Sequence, residues 1–252
     1  MIRATDLALS FGSREVLRGL SLDVEDGKTT VIIGRSGIGK SVLLRCITAL
    51  LRPREGSITV DGEEVLAARG KDLLRIRGKI GMLFQEGALF DSLNVYDNVA
   101  FPLVYHKKAG RAEIDRKVRQ YLGMVRMEEA ILAMPRELSG GMKRKVAIAR
   151  AMILEPKYLL YDEPTAGLDP ASSAVVEVMI NQLREETRIT SLIVTHDIDL
   201  TRYAADRIAL LEDGRIMAVE SRDEAFRKES LIYEHFIEKR ERIRAEHGHQ
   251  DQ

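Results

Sequence analysis

The stretch Gly34-Arg35-Ser36-Gly37-Ile38-Gly39-Lys40-Ser41 constrains the chain more than any other. It follows the pattern G-x-x-x-x-G-K-[ST]. The apolar, β-branched run Thr30 to Ile33 precedes it and predicts a buried strand. Val42 to Leu51 follows with the spacing of an amphipathic helix. Strand, glycine loop and helix is the context that marks a phosphate-binding loop. Gly34, Gly37 and Gly39 let the backbone curl so that its N–H groups point inward at phosphate oxygens. The helix start adds a positive partial charge. Lys40 brings a point charge for the outer phosphates, and the Ser41 hydroxyl is a magnesium ligand by type. The plain alternative is a glycine turn between a strand and a helix, but the motif sits where its mechanism needs it.

With 252 residues the chain suits one large domain, or a domain carrying a smaller insert. Lys plus Arg (39) equals Asp plus Glu (39), so bulk charge gives no support to a nucleic-acid or anionic-membrane partner. No apolar run reaches the length of a membrane span. Met1 to Asp6 lacks the shape of a signal peptide. The single Cys46 cannot form an intrachain disulfide and is expected to be a buried, inert thiol. Together these features predict a protein of the reducing cytoplasm, able to dock on a membrane protein.

Along the chain, residues 2–9 and 16–24 alternate apolar and polar and predict antiparallel strands, turned at Gly12-Ser13. Phe11 lies between them. Its ring can stack on a nucleotide base or close the edge of the core. Ser57 to Val60 is a further strand, turned by Asp61-Gly62, and a polar helix follows near 70–77. Ile80 to Phe84 is an apolar strand ending at Gln85, which in an open α/β sheet reaches the rim where ligands bind. Gln85 is therefore a candidate magnesium or water ligand, the alternative being a surface glutamine. Residues 87–156 break the strand–helix alternation. They predict an inserted helical subdomain with helices over 94–104, 112–124, 128–132 and 139–154. The apolar connector Gly87 to Val95 marks a docking surface for a partner or packs on the insert's own core.

Four further stretches bear on the chemistry. Ser139 is a good helix N-cap, and Gly140 and Gly141 expose backbone N–H groups beside it, giving a second anion-binding helix start. Tyr158 to Tyr161 is an apolar strand ending in Asp162 and Glu163. One carboxylate there can hold magnesium and the next can polarise an attacking water; a solvated strand end is the alternative. Asp169 caps a helix with Pro170 at its first position. Thr190 to Val194 is a buried strand leading to His196, which either reaches the same rim and contacts a terminal phosphate or is a cap or core residue. Strands near 207–211 and 215–219 turn at Asp213-Gly214. From Asp223 onward the pattern is helical, punctuated by Phe226, Tyr233, Phe236, Ile237 and Ile243, and Gly248 to Gln252 reads as a frayed end. This tail packs on its own domain or on a second copy.

In order and spacing these motifs resemble the ATP-binding subunit of ATP-binding-cassette (ABC) transporters over about residues 2–222. Gly34–Ser41 matches its Walker A motif, Gln85 its Q-loop, Leu138–Met142 its signature, Tyr158–Glu163 its Walker B, Ala166–Asp169 its D-loop, His196 its switch histidine and Phe11 its adenine-stacking position. The resemblance implies an α/β fold: a P-loop NTPase (RecA-like) core with an antiparallel β subdomain over 1–86 and 157–222, the helical insertion over 87–156, and a tail over 223–252. It implies ATP and Mg2+ as cofactors. Phe11, Gly34 to Val42, Ser139 to Gly141 and Asp169 would contact the nucleotide, and Ser41, Gln85 and Asp162 the metal. Glu163, His196, Gln85 and Lys40 would carry the catalysis.

The resemblance also implies partners. A second copy would form a head-to-tail ATP sandwich, with each phosphate loop facing the Ser139 helix start of the other copy. An integral membrane permease would hold the pair peripherally at the cytoplasmic face of the inner membrane. One departure from the family stands out: the signature ends in Met142 where Gln is usual. Met142, the run Phe84 to Phe90 and the run Asn98 to Leu103 resemble the subgroup that powers MCE-type phospholipid transport and outer-membrane lipid asymmetry. MCE-domain and small STAS-like subunits are then further expected partners. The rivals are the same motor driving an amino-acid importer, a soluble cassette acting on nucleic acid or ribosomes, and a nucleotide-binding regulator without hydrolysis. Zero net charge argues against a nucleic-acid partner, and the Asp162-Glu163 pair argues against the regulator.

Overall fold

The Asp-Gly pairs at 61–62 and 213–214 turn the chain as two-residue hairpin loops, with positive φ at all four residues (52, 77, 45 and 77°). Those turns punctuate a computed structural model that describes residues 1–85, 87–106 and 109–238. In chain order the elements are β1 (Ile2–Phe11), β2 (Arg14–Val24), β3 (Thr29–Ile33), α1 (Lys40–Ile47), β4 (Glu55–Val60), β5 (Glu63–Glu64), α2 (Gly70–Arg77) and β6 (Ile80–Leu83). Then come α3 (Val95–Tyr105), α4 (Arg111–Met124), α5 (Gly140–Met152), β7 (Tyr158–Asp162), α6 (Pro170–Thr187), β8 (Thr190–Thr195), α7 (Ile198–Ala204), β9 (Arg207–Glu212), β10 (Arg215–Ser221) and α8 (Arg222–Ala225). Every residue of β3, β7 and β8 is buried.

The chain divides into two compact units, Met1–Ala67 with the described part of Val194–Gln252, and Ala68–Ile193. The first unit holds an antiparallel sheet of order β2-β1-β4-β5 and a second group of strands, β10-β9-β3. In that group β9 runs antiparallel to β10 and parallel to β3, with Val31 opposite Ile208. The second unit holds β6 and β7 in parallel, Gly81 opposite Leu159, together with α2 to α6 and the start of β8.

Three elements differ from the sequence expectation. The helix after the phosphate loop stops at Ile47, not Leu51. Thr48 Oγ1 bonds back to Leu44 O (3.0 Å), and Ala49 takes a left-handed φ of 52°, so the chain turns away without a glycine. Of the expected helix over 128–132, a single 3-10 turn forms at Glu128–Ala130. The segment after β10 is not one helix: α8 lasts one turn, and a π-helical turn forms at Tyr233–Ile237. Ile232, Phe236 and Ile237 are buried there, so the described part of the tail packs on its own unit. Ile243 and the expected frayed end at 248–252 lie outside the described residues, as does Glu86 in the connector. Cys46 is fully buried, and burial pushes its thiol up to about 12, as expected of an inert cysteine.

Candidate functional site

In the first unit β3 runs straight into the glycine loop. A Cβ on Gly34 would lie 2.5 Å from Leu211 O, and one on Gly39 would lie 2.9 Å from Val16 Cγ1, so neighbouring strands leave room for nothing larger. Gly39 (φ 116°) is the N-cap of α1. It supplies no side-chain cap, and the first turn has no acid. Lys40 opens the helix. It is buried (5% exposed), and its Nζ donates to Gly34 O (2.9 Å) and Arg35 O (3.2 Å), tying the two ends of the loop. Arg35, Ser36 and Gly37 are exposed, while Ile38, Ser41 and Val42 are half-buried. The loop thus exposes Arg35 to Gly37 and holds one buried cation, an arrangement that suits a polyanion.

Phe11 is 52% exposed and pairs across the hairpin with Arg14, which donates from Nη2 to Gly37 O (3.1 Å). Arg14 therefore fixes the aromatic ring's strand to the middle of the loop. Sequence reasoning passed over it, because an arginine in a hairpin has no local signature. His196 also lies in this unit, half-buried, between β8 and α7, and α7 packs on β3.

The second unit holds the other predicted residues. Gln85 follows β6 and is exposed. Asp162 ends β7 at 3% exposure, and Glu163 follows at 8% with a left-handed φ of 47°. Ser139 caps α5: its Oγ accepts from Met142 N (3.3 Å). The next two glycines pack on the segment that starts α6. A Cβ on Gly140 would meet Leu168 Cδ2 at 3.0 Å, and one on Gly141 would meet Ser172 at 3.3 Å. Asp169 caps α6 by accepting from Ser172 N (2.9 Å), and hydrogen bonds from Ser172 hold its carboxyl below the usual range. Ser41 belongs to the first unit, and Gln85 and Asp162 to the second. Among the described residues no group of three or more His, Cys, Asp and Glu is placed to hold a metal.

Arginines of α5 hold this part of the site, and the sequence reading missed them. Arg144 is 5% exposed and donates to Phe84 O (2.9 Å) and Ala166 O (3.2 Å), so it joins the end of β6 to the loop after Glu163. Arg150 donates to Gly87 O (2.7 Å) and Ala88 O (2.8 Å), and its burial pulls its pKa down. The fully buried Asn98 holds the rest of the connector: its Oδ1 accepts from Phe90 N (2.8 Å) and its Nδ2 donates to Leu93 O (2.8 Å). The available signal was polar residues on the apolar faces of helices, since each needs a partner when buried. The connector packs on the helices of its own unit through these residues. It still leaves Phe90 42% exposed, its ring tilted against Phe101 at 4.6 Å, with Tyr105 stacked on Phe101 at 5.9 Å. Val104 and Leu132 are exposed alongside a cavity of about 950 Å³ that they line with Tyr96, Ala100 and Ile131.

The protein-family model of the ABC transporter matches residues 17–166, which takes in the phosphate loop, Gln85, Ser139 to Gly141 and both carboxylates. The chain belongs to the ABC transporter family. It is similar to a methionine import ATP-binding protein, MetN, of Clostridium tetani: 43% identical over 86% of this chain and 68% of that one. It is also similar to the intermembrane phospholipid transport system ATP-binding protein MlaF of Haemophilus influenzae, 36% identical over 94% of this chain and 90% of that one. Among solved structures it is similar to the dimeric post-hydrolysis state of the ATP-binding cassette MJ0796 bound to ADP and Pi. There the TM-score is 0.79 at 31% identity, covering 88% of this chain and 98% of that one. The chain spans 58% to 63% of the length of other curated relatives. The fold is that of the P-loop NTPases, and the cassette is an ATP-binding ATPase of the kind coupled to transport.

Proposed function

We propose that this cassette is the motor subunit of a phospholipid transporter of the MCE type, one that maintains outer-membrane lipid asymmetry. The observation that carries the motor reading is the start of α1, which has neither a side-chain cap nor an acid and has Lys40 buried at its first position. A helix start and a sequestered ammonium so placed call for an anion. In this reading Gly34 to Val42 wrap the triphosphate and Phe11 stacks on adenine. Ser41, Gln85 and Asp162 present a hydroxyl, an amide oxygen and a carboxylate, all hard oxygen donors that suit magnesium. When bound, the metal offsets the charge of the outer phosphates. Glu163 accepts a proton from the attacking water as the bond to the leaving ADP breaks, and His196 donates to the terminal phosphate. Asp169 contacts the nucleotide from the D-loop.

A second copy supplies Ser139, Gly140 and Gly141 to the far side of the same nucleotide, which gives two equivalent sites under two-fold symmetry. The exposed aromatic face of Phe90, Phe101 and Tyr105 receives a cytoplasmic helix of the permease. MCE-domain and STAS-like proteins complete the assembly at the inner face of the inner membrane. Among the described residues no helix is long and apolar enough to cross a membrane itself.

Two observations support the lipid cargo. Met142 stands in the signature where Gln is usual. The likeness to MlaF covers 94% of this chain and so must include the segment after β10, which a match over 86% need not. The second reading, methionine or another amino acid as cargo, is favoured by the higher identity, 43% against 36%. Purifying the cassette from membranes with its permease and identifying the bound molecule by mass spectrometry tests the choice. Phospholipid is expected, and a bound amino acid sinks the lipid assignment. For the motor itself, Glu163→Gln is expected to bind ATP, run as a dimer in size-exclusion chromatography and lose turnover by about a hundredfold or more. Normal turnover by that variant would remove Glu163 from its role.

A further inference from the structure

The segment after β10 has no part in the site described so far. We propose that it positions His196, through the stacking of Phe226 on Arg202 of α7. This rests on the reading of His196 as the terminal-phosphate contact.

His196 is flanked by a closed set of hydrogen bonds. Asp197 Oδ1 accepts from Asp199 N (2.9 Å) and Leu200 N (3.3 Å) and so caps α7. Asp197 N donates to Thr195 Oγ1 (3.0 Å), and Thr201 Oγ1 donates to Asp197 O (2.5 Å). The backbone at His196 therefore follows α7: where the helix goes, the imidazole goes. A helix of seven residues has no stability of its own and takes its place from what it packs against. Its inner side packs on β3 through Leu200, Thr201 and Ala204, all buried. On its outer side the Arg202 guanidinium lies 4.0 Å above the centre of the Phe226 ring.

Phe226 is offered from a fixed frame. Ser221 and Glu224 form a reciprocal capping box at α8: Ser221 N donates to Glu224 Oε2 (3.0 Å) and Glu224 N to Ser221 Oγ (3.3 Å). Beyond it, Ser230 Oγ donates to Glu220 Oε2 (2.5 Å), and Ile232, Phe236 and Ile237 are buried. The tail thus anchors itself on both sides of Phe226 and holds the ring against α7. A guanidinium over an aromatic face is attractive and directional, and an ammonium does not reproduce the planar stack.

The test uses the full chain with its permease. Arg202→Ala and Phe226→Leu are each expected to lower kcat for ATP by about two- to fivefold, the range of an exposed cation–π contact. The KM for ATP should stay at its normal value, the Tm should fall by no more than about 4 °C, the size of one such contact, and Phe226→Tyr, which keeps the ring, should restore kcat. Together the two substitutions should cost no more than either alone. A Tm fall of about 10 °C or more, additive effects, or no rescue by Tyr would overturn the proposal. A second readout does not depend on turnover. In the full chain with labelled imidazoles, the His196 ring signal, assigned by His196→Gln, should move in Phe226→Leu and not in Phe226→Tyr. An unmoved signal overturns the proposal even if turnover falls. If His196→Ala hydrolyses ATP normally, the phosphate-contact reading fails on its own account, and the imidazole signal still decides whether Phe226 sets the ring.

Discussion

Two helix starts in this cassette look alike in sequence, since each is a serine–glycine segment leading into a basic helix, yet they are finished differently. At α1 the cap is Gly39, with no side-chain oxygen for the first N–H groups and with Lys40 buried beside them. At α5 the cap is Ser139, whose own Oγ takes the Met142 N–H. The first takes no hydrogen bond from its own cap side chain and has no acid in its first turn. The second has one of its N–H groups taken by its own cap and so holds its shape without a ligand. In the proposed reading, that difference suits a nucleotide gripped tightly by one copy and closed over by another.

The comparison can be broken most sharply at Lys40. Lys40→Ala should weaken ATP binding to the isolated chain by about ten- to a hundredfold, read by titration calorimetry, because a charge-assisted contact is lost. Ser139→Ala in the same assay should change affinity by less than about twofold while abolishing the ATP-bound dimer of the Glu163→Gln background. Equal effects of the two on monomer affinity would erase the distinction between the helix starts.

Next in size is the clamp behind α5. Arg144→Ala should cost about 3 kcal/mol in urea unfolding, since two buried carbonyls lose a charged donor. Arg144→Lys should recover little, because one ammonium does not span Phe84 O and Ala166 O as the fork does. The cap of α5 is smaller: Ser139→Ala should lower stability by about 1 kcal/mol in the same assay.

The smallest effect belongs to a third helix start, at α6, where the cap is a carboxylate. Asp169 is held below its ordinary range by Ser172, so its contribution is present above the unfolded value and is lost as pH falls through the depressed one. The wild type should therefore lose a little more Tm than Asp169→Asn as pH drops through about 4 to 3, where an unfolded aspartate titrates.

The parts of the fold that were legible are those written in local chemistry. The Asp-Gly turns follow from the freedom of those residues at positive φ, and the buried strands from unbroken β-branched runs. The caps at Ser139 and Asp169 follow from a side chain that bonds its own helix. What escaped depends on partners distant in sequence. Arg144 reaches back sixty residues to Phe84; its place on the apolar face of α5 says that it needs a partner but not which one. Asn98 reads as an ordinary polar helix residue until the connector closes on it. The early stop of α1 rests on a left-handed alanine, for which no residue-type signal exists.

Glu163 sits at a φ of 47°, a backbone state that glycine or asparagine adopts more readily than glutamate. Glycine or asparagine at this position should therefore give a more stable chain and, in the proposed reading, one without the base for its water. In the proposed reading, the strained backbone is the cost of holding a carboxylate at the attacking water.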